Sequence, residues 1–152
     1  MCQVAKQRLQ NYSKLKAQTE AYTERIARMK ASEYYPEINL GNESQRTPGS
    51  GDRLVNGILR RLTYEDEMAD IIDRNLTEME QVRRAIYSLR DTMEQDVLIA
   101  RYIDVDGYRL PGWRAIAIKI YHGDDDHLVR SVCRIHGRAL KNIRFKEGET
   151  KP

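Results

Sequence analysis

The sequence predicts an all-α protein made of a long, coiled-coil-like helical hairpin followed by a small helix-turn-helix module. Three observations carry this expectation. Apolar residues recur at three- and four-residue steps over most of the 152 residues. The alternation of β-branched residues expected of strands is absent. The nine glycines and four prolines gather in a few short stretches instead of punctuating the chain throughout. Charged residues make up 32% and apolar residues 40%, with a mean hydropathy of −0.72, which fits a folded, water-facing chain rather than a disordered one.

The first helix is expected over about residues 4–29. Ala5, Tyr12, Leu15, Thr19, Tyr22, Ile26 and Met29 fall on one face, with a break at Arg8. Lys and Arg outnumber the two acids, Glu20 and Glu24, which would allow contact with DNA, but mixed solvated charge is the commoner explanation of such a face, and the reading of this helix is packing against another helix. From Ser32 to Asp52 the composition turns to Pro36, Gly41, Asn42, Ser44, Pro48, Gly49, Ser50 and Gly51, which blocks helix and sheet alike and predicts a flexible loop over about 33–52.

The helical pattern resumes over 52–90, with Leu54, Ile58, Leu62, Met68, Ile72, Met79, Val82, Ile86 and Leu89 on the apolar side. Thr63 to Asp66 resembles a capping start and marks an expected place for a break. Between Glu65 and Glu80 seven acids stand against Arg74 alone, which complements the basic first helix and favours an antiparallel pairing of the two. Asn75 falls either at a seam position, where one polar residue sets register or oligomer state, or towards solvent.

Asp91 is the expected N-cap of a third helix carrying Met93, Val97, Leu98 and Tyr102 and ending near Asp104. Residues 104–112 contain Asp-Gly and Pro-Gly turn signals. A short helix over Trp113 to Tyr121 buries Ile116, Ala117 and Ile120, with Trp113 as a core anchor. Gly123 and Asp124 to Asp126 then form a turn in which one aspartate should cap the last helix.

That last helix, Asp126 to Phe145, is the most informative stretch. Leu128, Val129, Val132, Ile135, Ala139, Leu140 and Ile143 form its apolar side, while His127, Arg130, Ser131, Arg134, Arg138 and Lys141 form one polar stripe. From Arg130 to Lys146 there are six Lys or Arg and no acid, although the whole chain carries only +3. A basic stripe on a helix that follows a short apolar helix is the arrangement with which a helix-turn-helix reads double-stranded DNA. The expected domains are therefore 1–90, the hairpin, and 91–152, the DNA-binding module.

The residues also suggest a family. Val97 to Tyr102, Trp113 to Ile120, and Val132 to Arg144, with its run Arg134-Ile135-His136-Gly137-Arg138-Ala139-Leu140, resemble region 4 of bacterial sigma factors and, more closely, the RinA/ArpU-type phage transcriptional regulators. The resemblance spans about residues 89–145. It implies a sigma region-4-like helix-turn-helix of phage or prophage origin, with RNA polymerase as a further partner; separately, a long helical element beside a DNA-binding module suits a homodimer through the N-terminal helices. On this reading His127, Arg130, Ser131 and Arg134 meet base edges. Arg138, Lys141 and Arg144 lie further along, near phosphate, and Arg114 and Lys119 on the preceding helix are additional phosphate candidates. The loop 104–112 and the turn 121–126 are longer than in the sigma pattern, and Asp124 to Asp126 would repel phosphate unless they cap the helix or point away.

Rival readings are a phage small terminase subunit, which also joins a helix-turn-helix to helical oligomerisation segments, and a helical adaptor that binds a protein through its basic face. No complete metal-ligand set is present, since His122 and His127 lie across a turn with no cysteine nearby. No phosphate-binding loop, nucleophile elbow or metalloprotease motif occurs, so neither catalysis nor a cofactor is expected. No stretch approaches a membrane span and no signal core follows the first residues, so a cytoplasmic location is expected, which also suits Cys2 and Cys133 as free thiols.

Overall fold

The computed structural model describes residues 2–34 and 50–146. All regular structure among them is helical, without a strand: α1 (Cys2–Tyr34), α2 (Ser50–Tyr87), α3 (Thr92–Leu98), α4 (Trp113–Tyr121) and α5 (Asp126–Asn142). None of these helices is long and apolar enough to cross a membrane. The loop expected over 33–52 falls almost entirely on residues 35–49, which lie outside the described residues.

Local chemistry explains the ends. The Asp91 carboxylate accepts from the Met93 amide at 2.9 Å, capping α3 as expected, and Gln95 Nε2 reaches back to the Leu89 carbonyl at 2.6 Å. Beyond Leu98 the helix widens into a π-helical turn over Ile99–Ile103, closed by the Asp104 amide on the Ile99 carbonyl at 2.9 Å. α4 stops at His122, whose left-handed backbone (φ 59°) ends the helix. Gly123 serves another purpose, since a Cβ there would stand 3.1 Å from Leu128 Cδ1, so the missing side chain permits the close approach of the turn to α5. Asp125 occupies the N-cap position of α5, but its carboxylate makes no capping hydrogen bond.

α2 runs unbroken through Thr63 to Asp66. There Arg61 binds Glu65 across one turn at 3.0 Å and Tyr64 lies beneath the Arg25 guanidinium at 4.7 Å, so the acid that might have opened a new helix instead pairs within the existing one.

The described residues form two compact units, one of 2–17 with 75–146 and one of 18–34 with 50–74. The start of α1 shares a unit with α3 to α5, and the cores give the reason. Ala5, Leu9 and Tyr12 of α1, Val82 and Ile86 of α2, Leu98 and Tyr102, and Ala139 and Ile143 share one buried cluster. Val97, Ala100, Ile116, Ala117, Val132 and Ile135 share a second, flanked by Trp113 and Leu128. Neighbouring residues Val97 and Leu98 thus face different clusters, and α3 with its π turn is apolar on two sides. Full burial of a Leu or Ile side chain contributes roughly 1.5–3 kcal/mol, and Leu9, Ile86, Leu98 and Ile116 are all buried to 1% exposure or less. These clusters dominate the unit's stability.

Within the same unit Arg8 does not interrupt the apolar face of α1. Its guanidinium donates to both Glu78 carboxylate oxygens at 2.8 and 2.9 Å and to Gln81 Oε1 at 2.9 Å, and it stacks on Phe145 at 4.1 Å. Leu9 beside it is fully buried. Asn75 is buried as well, rather than turned to solvent.

In the unit of 18–74, Thr19 is buried and Tyr22, Ile26 and Met29 are half-buried, as the periodicity of α1 predicts. On α2 the expected apolar face is displaced. Leu54 and Leu62 are solvent-exposed with Val55 and Leu59, while Arg61 is half-buried and binds Glu33 at 2.6 Å, and Glu65 pairs with Lys30 at 3.5 Å. Ile58, Met68 and Ile72 of the expected face remain half-buried beside Arg61 and Glu65, so apolar and ion-paired residues share this side of α2.

Candidate DNA-contacting face

α5 separates its two faces cleanly. Val132, Ile135, His136 and Ala139 are buried, and His127, Arg130, Arg134, Arg138 and Lys141 are exposed, with Ser131 half-buried between them. At 100° per residue these six polar positions occupy about 100° of the helix circumference. The apolar side is held by the second cluster at its N-terminal end and by the first cluster at its C-terminal end, through Ala139 and Ile143. Such a helix presents its cations from a fixed platform.

The nine sequence-predicted residues are not equivalent. Arg130, Arg134 and Lys141 have no carboxylate within 4 Å among the described residues; Arg130 makes only a 3.3 Å bond to the Asp126 carbonyl. Arg144 lies beyond the end of α5 and donates to the carbonyls of Lys141 and Ile143 at 2.6 and 2.9 Å. Arg138, expected near phosphate, leans towards α3, with Asp91 Oδ2 at 3.9 Å and Glu94 Oε1 at 4.0 Å. Glu94 is buried to 4% exposure and also accepts from Asn142 Nδ2 at 2.9 Å, so it attracts the middle and end of α5 to α3.

Arg114 and Lys119 are exposed but already paired. Arg114 donates to the Asp124 carbonyl at 3.1 Å and to Asp126 Oδ1 at 3.2 Å, and Lys119 to Asp104 Oδ2 at 3.3 Å. The acidic turn that seemed hostile to phosphate is thus partly neutralised by Arg114. Of the nine, Arg130, Arg134, Lys141 and Arg144 are the cations without a carboxylate within 4 Å among the described residues.

Behind the basic face sits a polar interior. Tyr102 Oη and His136 Nε2 are 2.7 Å apart, both residues buried; the His136 ring meets Trp113 edge-on at 4.7 Å, and the Arg101 guanidinium covers the other part of Trp113 at 4.4 Å and binds the Pro111 carbonyl. Burial lowers the His136 pKa to about 4, helped by the positive charges of Arg101 and Lys6, so the ring is neutral at pH 7. Burial also raises the Tyr102 hydroxyl above its ordinary range and keeps it a phenol. Of the residues that carry the family resemblance, Arg101, Tyr102, Trp113 and His136 build the interior behind α5, whereas Arg134 and Arg138 of the run Arg134 to Leu140 stand on its exposed stripe.

No family model matches the chain, and neither does any curated protein or solved structure. The chemistry of the face must speak for itself. Arg130, Arg134 and Lys141 lie along one exposed side of α5. Among the described residues no group of three or more His, Cys, Asp or Glu side chains is placed to hold a metal ion.

Sequence reasoning missed Glu94 and Asn142 as the pair that seats the end of α5, because a buried acid on a short helix carries no periodic signal. It took the charged face of α1 for an ordinary solvated one, although the first acid in the chain is Glu20.

Proposed function

We propose that the protein is a sequence-specific DNA-binding transcriptional regulator, with α4 and α5 as a helix-turn-helix of the sigma region-4 type and α5 as the recognition helix. The observation that carries this reading is the acid-free, exposed line of His127, Arg130, Arg134 and Lys141 on a helix whose opposite face is anchored in two apolar clusters. Rigid support of a basic helix is what base readout in the major groove requires, since a bidentate arginine contact to guanine tolerates little misplacement. His127, Arg130, Ser131 and Arg134 are assigned to base edges and Lys141 and Arg144 to phosphate. Arg138, drawn to Asp91 and Glu94, is assigned to holding α5 against α3.

The resemblance to the RinA/ArpU-type regulators supports a phage or prophage setting and RNA polymerase as a second partner. In the same reading α1 and α2 form an antiparallel hairpin that brings two copies together, supported by the exposed Leu54, Val55, Leu59 and Leu62 on one side of α2. A monomeric mass by light scattering at micromolar concentration rules out that dimer.

Selection of bound sites from a random duplex pool tests the function itself. A recovered consensus is expected. On that site Arg134→Ala should weaken specific binding by roughly 1–3 kcal/mol, with a smaller effect on unrelated DNA, whereas Arg144→Ala should weaken both alike. Absence of any duplex binding at low salt refutes the reading.

A further inference from the structure

The first half of α1 belongs to the same compact unit as α5, and its solvent side is chemically unusual. Gln3, Lys6, Gln7, Gln10, Asn11 and Lys14 follow i, i+3, i+4, i+7, i+8, i+11 and are all exposed, directly opposite the buried Ala5, Leu9 and Tyr12. Residues 2–17 contain no acid. Arg8 is occupied by Glu78, but Lys6 and Lys14 have no carboxylate within 4 Å among the described residues. Lys6, Gln7, Gln10, Asn11 and Lys14 line an open groove that Leu140 of α5 also borders.

We propose that this face of α1 is a second nucleic-acid contact, a sequence-independent clamp on the phosphate backbone flanking the site read by α5. The inference rests on the DNA-binding reading above. Its chemistry follows from the residue types. Lysines supply charge, and the amide NH2 groups of Gln and Asn donate to phosphate oxygens, contacts that position a backbone. Lys6 and Lys14 are eight residues apart, about 12 Å along the helix, a length over which one strand of B-DNA carries three to four charges. An ordinary solvated helix face mixes acids with its cations, as α2 does with its arginines; this one excludes acids over residues 2–17.

The test is a salt titration of duplex binding by the full chain. Each phosphate contact contributes about −0.9 to the slope of log K against log salt. Lys6→Gln with Lys14→Gln should therefore make the slope shallower by roughly 1.8, equally on the selected site and on unrelated DNA, and should remove hydroxyl-radical protection from one flank of the footprint while leaving the central bases protected. Lys6→Arg with Lys14→Arg should keep both slope and footprint. Because all these positions are exposed, the variants should melt as the wild type does, which circular dichroism verifies. An unchanged slope and footprint in the Gln variant, with Arg134→Ala still weakening binding, overturns the clamp alone and leaves the face to an acidic protein. A wild type that binds no duplex overturns the clamp together with the reading beneath it.

Discussion

The two compact units solve the same problem, holding α1 to α2, by different means. In residues 75–146 with the start of α1, the interior is apolar: Leu9, Val82, Ile86, Val97, Leu98, Ile116 and Val132 are buried to 1% exposure or less. In residues 18–74 no hydrophobic side chain among the described residues is buried to that degree, and the contacts are the Arg61–Glu33, Arg61–Glu65 and Lys30–Glu65 ion pairs with Arg25 over Tyr64. Apolar burial is insensitive to salt and scales with area, whereas partly exposed ion pairs contribute little each and are screened. The proposed DNA-contacting face thus stands on the well-packed unit, and the ion-paired unit is the one free to open or to meet a partner at low cost.

The largest expected effect should come from the packed unit. Leu98→Ala, in the cluster shared by α1, α2 and α5, should destabilise the chain by roughly 2–5 kcal/mol in urea unfolding, and Ile26→Ala, half-exposed in the other unit, by distinctly less. Equal costs would mean that the two units are packed alike and would end the comparison.

A second prediction sharpens the account of the polar interior. The folded chain holds His136 near pKa 4 against an ordinary 6.5, so between these values the unfolded chain binds a proton that the folded chain does not. The contribution of neutral His136 to stability is complete above pH 6.5 and declines as the pH falls towards 4, by up to roughly 3 kcal/mol. His136→Gln lacks this titration, so the stability difference between wild type and variant should shrink over that interval. A difference that stays constant with pH would show that the ring is solvated and that the Tyr102 bond is not what seats α5.

The smallest effect belongs to the ion pairs. The hydrogen bond from Arg61, with Lys30 adding to it, holds the Glu65 carboxyl below its ordinary pKa of 4.5, so whatever stability it gives is present above that pH and lost as the pH falls below it. Arg61→Ala should speed amide exchange locally over residues 22–33, more at low salt than at high salt, while leaving the global unfolding midpoint almost in place. A midpoint shift comparable to that of Leu98→Ala would show that the ion pairs carry the fold.

Where helices begin and what their apolar sides are was written in the sequence. The start of α3 at the Asp91 cap, the whole of α4 from Trp113 to Tyr121 and the division of α5 into an apolar and a basic side all follow from period, capping chemistry and turn residues, which act within a few positions of one another. Tertiary structure alone decided which apolar side meets which. It carried Ala5, Leu9 and Tyr12 into a cluster with Ala139 and Ile143, buried His136 against Tyr102, drew Arg138 towards Glu94, and exposed Leu54 and Leu62 where Arg61 took the inner place. Periodicity records that a helix has a side to bury and is silent on its partner, because that choice rests on contacts between residues 28 to 138 positions apart, whose energies no local pattern encodes.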